Sequence, residues 1–204
     1  RGSNMVHRCP ATLGILRATT VVFVVSLSIH GQTSLRDLAR KNGILYGCAV
    51  GSAFWSDQSY KSLIARECNV IVSENDMKFN AIEPQRGQFN WQKVNDLLAF
   101  CQQNDIKLRG HTFVWHQAVP NWLANGTFNR QEMLSIMKTH IDSLAGHCKG
   151  KIIEWDVVNE AIDDGNGNAL RSSVWKDRIG NDYIDSAFVY ARRADPNALL
   201  FYND

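Results

Sequence analysis

Residues 106–115, IKLRGHTFVW, and residues 151–158, KIIEWDVV, are two runs in which β-branched, aromatic and other apolar residues predominate. Between them, Asn129 followed three residues later by Glu132 has the spacing of a capping box, which predicts the start of a helix. The apolar residues that follow recur at helical spacing: Leu134, Met137, Ile141 and Leu144. A strand, a helix and a second strand in this order predict a βαβ unit with parallel strands.

The same alternation extends over most of the chain. Strand candidates begin near residues 44, 69, 106, 151 and 198. Helix candidates alternate with them, at residues 34–41, after Asp57, at residues 91–103, after Asn129 and after Asn181. We therefore predict an α/β protein built around a parallel sheet.

Two architectures share this alternation, the doubly wound open sheet and the (β/α)8 TIM barrel. The open sheet usually carries a glycine-rich phosphate-binding turn after its first strand, and residues 47–51, GCAVG, lack the third glycine of that turn. Long, aromatic and charged loops after the strands favour the barrel. Eight units of about 38 residues would need about 300 residues, so we expect a TIM barrel truncated after about strand five.

Residues 1–31 are expected to lie outside this fold. Residues 1–4 precede Met5 and resemble a cloning remnant, and residues 21–29, VVFVVSLSI, have the length of a signal-peptide core. A run of nine apolar residues is too short to span a bilayer, which needs about 20. A buried strand is the alternative for this run. We predict a secreted, extracellular protein without membrane attachment once the leader is removed, with residues 32–204 forming the N-terminal part of the barrel domain.

Charge and cysteine content narrow the class of protein further. The formal charge is +2, and without the three arginines of residues 1–31 it becomes 19 − 20 = −1. This charge gives no support for a nucleic-acid partner. Four cysteines lie in residues 32–204, and their spacing predicts no metal site, although they could form disulfide bridges.

Charged and amide residues gather where the strand candidates end. They lie in residues 73–78, 109–116, 154–160 and 202–204. Each cluster taken alone could be a helix cap or a structural ion pair. Because a barrel brings the carboxyl ends of its strands to one mouth, four such clusters together predict a functional site there.

The residue types in these clusters favour one chemistry. No Ser or Cys stands in a nucleophile-elbow context. His111 and His116 are five residues apart, so on a regular strand they face opposite sides and would not bind one metal ion. A carboxylic acid beside amide and imidazole groups, together with tryptophan faces, is typical of a glycosidase.

Four of these motifs resemble the glycoside hydrolase family 10, the endo-β-1,4-xylanases. They are residues 74–78, ENDMK; residues 110–116, GHTFVWH, with Pro-Asn-Trp at 120–122; residues 155–160, WDVVNE; and residues 200–204, LFYND. In order and correctly spaced, they extend the resemblance over residues 34–204. The resemblance implies a TIM barrel that hydrolyses xylan and xylo-oligosaccharides with retention, through a covalent glycosyl-enzyme and without metal or cofactor.

The resemblance also implies a role for individual residues around the scissile bond. Glu160 matches the general acid/base of the family. Asn159 matches the amide that bonds the 2-hydroxyl of the sugar beside that bond, and His111 and Trp115 match residues that line the same subsite. Tyr202 matches an aromatic residue on the leaving-group side.

Further residues are implied at the next sugar and behind the site. Glu74, Asn75 and Lys78 match residues that hold the next sugar on the non-reducing side. Asp156 and His116 match residues that support the substrate-contacting side chains from behind.

The sequence departs from the family pattern in two respects. The family usually has Gln three residues after the tryptophan that Trp115 matches. Here Ala118 holds that position, and Gln117 lies one residue earlier. The nucleophile of the family is a second Glu on strand seven, beyond the strands predicted here. Glu154 cannot replace it, because six residues of strand place it roughly 20 Å from Glu160 and retention needs a separation of about 5–5.5 Å.

Adjacent Asn159 and Glu160 raise a geometric question, because strict alternation would point them to opposite faces. Both can reach one sugar only if the strand ends or bulges there. We further expect the chain alone not to hydrolyse xylan, and to aggregate, dimerise or need the missing C-terminal half. The alternative functions are a non-catalytic carbohydrate-binding or inhibitor-like barrel, and another barrel glycosidase such as a mannanase or cellulase.

Overall fold

The computed structural model describes residues 33–165, 167 and 169–204. The predicted leader, residues 1–31, lies outside the described residues. The strands are β1 (Gly47–Val50), β2 (Val70–Ser73), β3 (Lys107–Trp115), β4 (Ile152–Asn159) and β5 (Leu199–Asn203). The helices are α1 (Leu35–Lys41), α2 (Ser52–Ser56), α3 (Gln58–Glu67), α4 (Phe79–Ile82), α5 (Gln92–Gln103), α6 (Asn121–Ala124), α7 (Arg130–Cys148), α8 (Val174–Ile179) and α9 (Tyr183–Ala194).

The five strands form one sheet in the order β1-β2-β3-β4-β5, and every neighbouring pair is parallel. Sequential order with parallel pairing requires a crossover after each strand, and one or more helices of the structure lie in each crossover. The predicted α/β alternation and parallel sheet are confirmed. This is the strand arrangement of the first part of a (β/α)8 barrel.

Side-chain caps fix the starts of α1, α3 and α7 close to the predicted positions. Ser34 accepts a hydrogen bond from the backbone of Asp37, and Asp57 does the same for the first turn of α3. Asn129 and Glu132 form the predicted capping box of α7. Four short helices, α2, α4, α6 and α8, were not predicted, because four to six residues do not reveal a helical period.

The core lies between the outer face of the sheet and the helices. Its largest fully buried side chains include Phe54, Phe113, Trp155 and Trp175. Phe113 and Trp155 stack with their ring centroids 4.2 Å apart. Gly110 makes room for this pair, because a Cβ there would lie 2.0 Å from Cε3 of Trp155. Most of the aromatic residues are thus structural.

The four cysteines in the described part of the chain form no disulfide bond there. Cys48 is exposed, whereas Cys68, Cys101 and Cys148 are buried. Burial raises the pKa of the Cys101 and Cys148 thiols to about 12, so these two side chains are neutral core groups at ordinary pH. Among the helices of the described residues, none combines the length and apolar character needed to cross a membrane.

Candidate active site

A bulge in β4 decides which of its side chains face the inner side of the sheet. Asp156 pairs with Phe201 and Val158 with Tyr202, so β4 advances two residues while β5 advances one. The extra residue interrupts the alternation of side chains. Asp156 and Asn159 therefore lie on the same face although they are three residues apart.

A matching shift occurs in β3, between His111 and Val114. His111 pairs with Asp156, and Trp115 pairs with Asn159. Residues paired in register on neighbouring parallel strands share a face of the sheet. The two shifts thus bring side chains of the motifs at 110–116 and 155–160 together on the inner face of the sheet.

The backbone turns sharply at Glu160, immediately after β4. Its φ is +52°, a left-handed conformation that non-glycine residues rarely adopt. Two hydrogen bonds hold this peptide: its N–H donates to the carbonyl of Asn203 at 2.8 Å, and its carbonyl accepts from Nε of Arg171 at 3.2 Å. The strand bulges before this point and ends at it. This is the condition under which the adjacent Asn159 and Glu160 can both reach one sugar.

The Glu160 carboxylate accepts a hydrogen bond from the indole Nε1 of Trp115 at 2.9 Å. Its side chain is 43% exposed, so the other carboxylate positions are accessible to a ligand. Nδ1 of His116 lies 3.9 Å away, beyond hydrogen-bond distance. The result is an oriented, accessible carboxyl group at the carboxyl end of the sheet.

Lys78, the last residue of the motif at 74–78, lies over the ring of Trp115. Its Nζ lies 4.2 Å from the centroid of the Trp115 ring and 3.3 Å from Oδ1 of Asn75. Burial lowers the pKa of Lys78, and the negative charges of Glu160 and Glu74 offset part of this shift. A partly buried cation between two carboxylates is a strong hydrogen-bond donor for a polar ligand.

Lys78, Asn75 and His111 line a cleft of about 510 Å³, whereas Glu160, Trp115 and Asn159 line a separate small pocket at the end of β4. The polar lining of the cleft consists mainly of Glu74, Asn75, Lys78, Arg109, His111, Asp156 and Asn203. A larger groove of about 640 Å³ lies outside the sheet, on α3 and α5, and contains none of the predicted site residues. The cleft is the candidate site, because the convergent polar groups lie there.

Asp156 is the buried anchor of the cleft, with 2% of its surface exposed. Its carboxylate accepts from the Arg109 guanidinium and from Nδ1 of His111, the latter at 2.8 Å. Burial alone would raise the pKa of Asp156, but the hydrogen bonds from His111 and Arg109 outweigh it, and the pKa is lowered. The bond through Nδ1 leaves Nε2 of His111 for a ligand, and in this way Asp156 supports the site from behind.

Asp156→Asn should lower the free energy of unfolding by about 1.5–3 kcal/mol, because the Arg109 cation would lose its bidentate partner and keep only Glu154, at 3.3 Å. Arg109 is 28% exposed, which keeps the cost below that of a fully buried pair. Asp182→Asn is the matched control, since Asp182 pairs with Arg130 where both side chains are about half exposed. We expect little or no loss of stability there, because solvent screens an exposed ion pair. Equal losses in urea unfolding of the two variants would show that Asp156 is not an anchor.

His116 and the loop after β3 occupy the other side of Glu160. Burial and the charge of Arg171 lower the pKa of His116, so its ring is neutral at physiological pH. The Gln117 amide lies 3.1 Å from Nε2 of His116. Ala118 has a φ of +51° and its carbonyl accepts from the backbone of Asn80 at 2.9 Å. The loop thus directs Gln117 towards His116.

Tyr202 is not brought to the cleft. Its hydroxyl donates to the carboxylate of Asp204, and its pairing with Val158 places it on the face of the sheet opposite to Asn203. Burial, followed by this hydrogen bond, raises the pKa of Tyr202 to about 12. Its role on the leaving-group side stays a prediction.

Sequence reasoning missed several residues that hold the site together. Asn203 and Arg171 fix the Glu160 peptide, and Trp175 donates from Nε1 to the carbonyl of Trp115 at 2.9 Å. Arg109 was noted as part of a polar cluster but had no assigned role. The Asn203 and Trp175 contacts join residues 44 and 60 positions apart and leave no local signal. The pairing of Asn203 with Asn159 could have been found only from strand register. No cluster of metal-ligating residues occurs in the described part of the chain.

Comparison with known proteins gives matches over most of the chain. The family model described as glycosyl hydrolase family 10 matches residues 34–204. The chain is 38% identical to endo-1,4-beta-xylanase B of Thermotoga neapolitana, over 93% of this chain and 56% of that protein. It is 44% identical to endo-1,4-beta-xylanase 1 of Humicola insolens, over 85% of this chain and 41% of that protein.

Solved structures give the same result. Xylanase 10B of Thermotoga maritima matches with a TM-score of 0.80 at 40% identity, over 84% of this chain and 53% of that one. Xylanase 10B of Thermotoga petrophila RKU-1, determined in complex with xylobiose, matches with a TM-score of 0.81 at 38% identity, over 85% and 54%. The chain therefore spans about half the length of these relatives, and the predicted TIM-barrel architecture is confirmed.

Proposed function

The chain belongs to glycosyl hydrolase family 10, and on that premise we propose that the complete protein hydrolyses internal β-1,4 bonds of xylan with retention of configuration. The observation that carries this proposal is the Glu160 carboxyl group, accessible at the carboxyl end of β4 and oriented by the Trp115 indole at 2.9 Å. An oriented, accessible acid at a strand end is the arrangement required of a glycosidase acid/base.

In the first step, the Glu160 carboxyl group donates its proton to the glycosidic oxygen as the bond from that oxygen to the anomeric carbon breaks. A second carboxylate forms the new bond to the anomeric carbon, which gives a covalent glycosyl-enzyme. In the second step, Glu160 takes a proton from water, whose oxygen displaces the enzyme carboxylate from the anomeric carbon. Family resemblance places the second carboxylate on strand seven, beyond the five strands described here.

The other predicted site residues bind and orient the sugars in this proposal. Asn159, supported by Asn203 at 2.7 Å, bonds the hydroxyl beside the scissile bond. His111, held by Asp156, and the Trp115 ring line the same subsite. Lys78 with the exposed Glu74 and Asn75 holds the next sugar, since charged and amide groups match the ring hydroxyls. Neither a metal nor a cofactor enters these steps.

The substrate is tested by initial rates of the complete protein on xylan, mannan and carboxymethylcellulose. We expect reducing sugar from xylan at a rate at least about tenfold above the other two, because one unfavourable sugar contact costs on the order of 1–3 kcal/mol. Highest activity on mannan or carboxymethylcellulose would identify another glycosidase. Binding of xylan without release of sugar would identify a carbohydrate-binding barrel. The 204-residue chain assayed alone should release none, because it lacks the second carboxylate of this scheme.

The location and partners of the protein follow from the same proposal. We infer that it acts outside the cell on xylan and xylo-oligosaccharides, since xylan is a polymer of plant cell walls and residues 21–29 have the composition of a signal-peptide core. Nucleic acid and membrane are not partners in this account. Tyr46 and Leu199, at the outer strands β1 and β5, are exposed apolar residues, which supports pairing of these strands with the C-terminal half or with a second copy.

A further inference from the structure

We propose that Asn203 is a positioning residue, which fixes the orientation of the Asn159 amide and through it the recognition of the sugar hydroxyl beside the scissile bond. This inference rests on the proposed function of the cleft. It concerns a residue of β5 for which neither a motif role nor a substrate contact was predicted.

Asn203 is bonded to both residues of the predicted Asn-Glu pair. Its side-chain Nδ2 donates to Oδ1 of Asn159 at 2.7 Å. Its backbone carbonyl accepts from the N–H of Glu160 at 2.8 Å. One residue on the neighbouring strand therefore contacts both the acid and the amide next to it.

The side-chain bond decides which way the Asn159 amide faces. A primary amide has one acceptor oxygen and one NH2 group with two donors. Because Asn203 occupies Oδ1, the NH2 group of Asn159 is left to donate to a hydroxyl oxygen of the substrate. With Asn203 oriented as it is in the structure, a reversed Asn159 amide would bring two NH2 groups together, and Asn159, with only 3% of its surface exposed, has little water to compensate.

The backbone hydrogen bond between Asn203 and Glu160 has its own effect, which experiment can separate from that of the Asn203 side chain. Every residue at position 203 supplies the same carbonyl to Glu160, so substitution of the side chain leaves that hydrogen bond available. A change confined to the Asn203 side chain therefore tests the orientation of Asn159 rather than the backbone of Glu160.

The matched substitution is Asn203→Asp, which keeps the shape and replaces the donor NH2 by a second acceptor oxygen. The new carboxylate can only accept from Asn159, so the Asn159 amide must rotate and turn its oxygen towards the substrate. Asn90→Asp is the control, since Asn90 is exposed and uses its oxygen to accept from the backbone of Gln92, a bond that Asp can also make.

Two substrates are compared on the complete protein: an aryl β-xylobioside, and its analogue without the 2-hydroxyl on the sugar that carries the aryl group. The quantity measured is the ratio of kcat/KM for the first substrate to kcat/KM for the second. In Asn203→Asp we expect this ratio to fall by about tenfold or more, because the first substrate loses a hydrogen bond that the analogue never made. Asn90→Asp should leave the ratio unchanged. A parallel loss on both substrates, or no loss, would overturn the role of Asn203.

A second variant keeps the proposal testable if Asn203→Asp does not fold. Asn203→Ala removes the support of Asn159 without adding charge, and we expect a smaller fall in the same ratio with far-UV circular dichroism unchanged. An unchanged ratio in a folded Asn203→Ala protein would contradict the proposal. If the parent protein hydrolyses neither xylobioside nor xylan, the proposed function fails instead, and the two failures are thus distinguished.

Discussion

Glu160→Gln should reduce the turnover of unactivated xylan by the complete protein by about 10²–10⁴-fold, the range that general acid–base catalysis contributes. Gln keeps the size of Glu and can accept from the Trp115 indole, but it has no proton to give to the glycosidic oxygen. Binding of xylo-oligosaccharide should therefore be largely retained. The measurement is the rate of reducing-sugar release, with the dissociation constant determined separately by calorimetry.

The control for this substitution is Glu132→Gln. Glu132 completes the capping box of α7, far along the chain from the cleft, and Gln can make the same cap hydrogen bond. We expect full activity in this variant. Comparable xylan turnover by Glu160→Gln and its parent would remove Glu160 from the acid/base role.

The second large effect concerns His140, a core residue of α7 with 1% of its surface exposed. Its ring stacks on Phe79 with the centroids 3.7 Å apart, and neither ring nitrogen has a hydrogen-bond partner among the described residues. Burial lowers the pKa of His140 to about 3. Protonation is therefore strongly disfavoured in the folded protein.

The consequence is a loss of stability in mild acid. As the pH falls below about 6.5, the unfolded chain binds a proton at His140 that the folded chain does not, so the free energy of unfolding falls by about 1.4 kcal/mol per pH unit. The loss stops near the folded pKa of about 3. Between pH 6.5 and 4.5 it amounts to about 2–3 kcal/mol.

His140→Phe keeps a ring on Phe79 and removes the titrating group. The variant and its parent need not have the same free energy of unfolding at pH 7. The predicted result is that the free energy of urea unfolding depends less on pH between 7 and 4.5 in the variant. His147→Phe is the control: His147 stacks on Trp91 but is only partly buried and bonds to Asn95, so its removal should flatten the curve much less. If His140→Phe retained the full slope of the parent, burial of His140 would not be its source.

Local signals predicted much of the fold because they act over a few residues. Ser34, Asp57 and the Asn129–Glu132 pair cap the helices that their types and spacing predicted. The strands begin within three residues of their predicted positions. The α9 helix was predicted less well, since it begins at Tyr183 and its N-cap residue, Asp182, makes no side-chain cap bond.

Strand register is the part that the sequence could not give. The bulge after Asp156 depends on how β4 meets β5, and the left-handed turn at Glu160 depends on the hydrogen bond that its N–H donates to the carbonyl of Asn203. These contacts join segments that are distant in sequence, and no period or cap marks them. The same reason explains why Asn203, whose contact with Asn159 depends on strand register, was overlooked.

Rescue of a Glu160→Ala variant by azide tests whether Glu160 is the acid/base of a retaining xylanase. With an aryl xylobioside whose leaving group needs no protonation, the covalent intermediate should form and then accumulate, because no base activates water. Azide needs no base, and it should restore turnover and give the β-configured glycosyl azide as product. No acceleration by azide, or a product of inverted configuration, would contradict the assignment of Glu160 as the acid/base of a retaining xylanase.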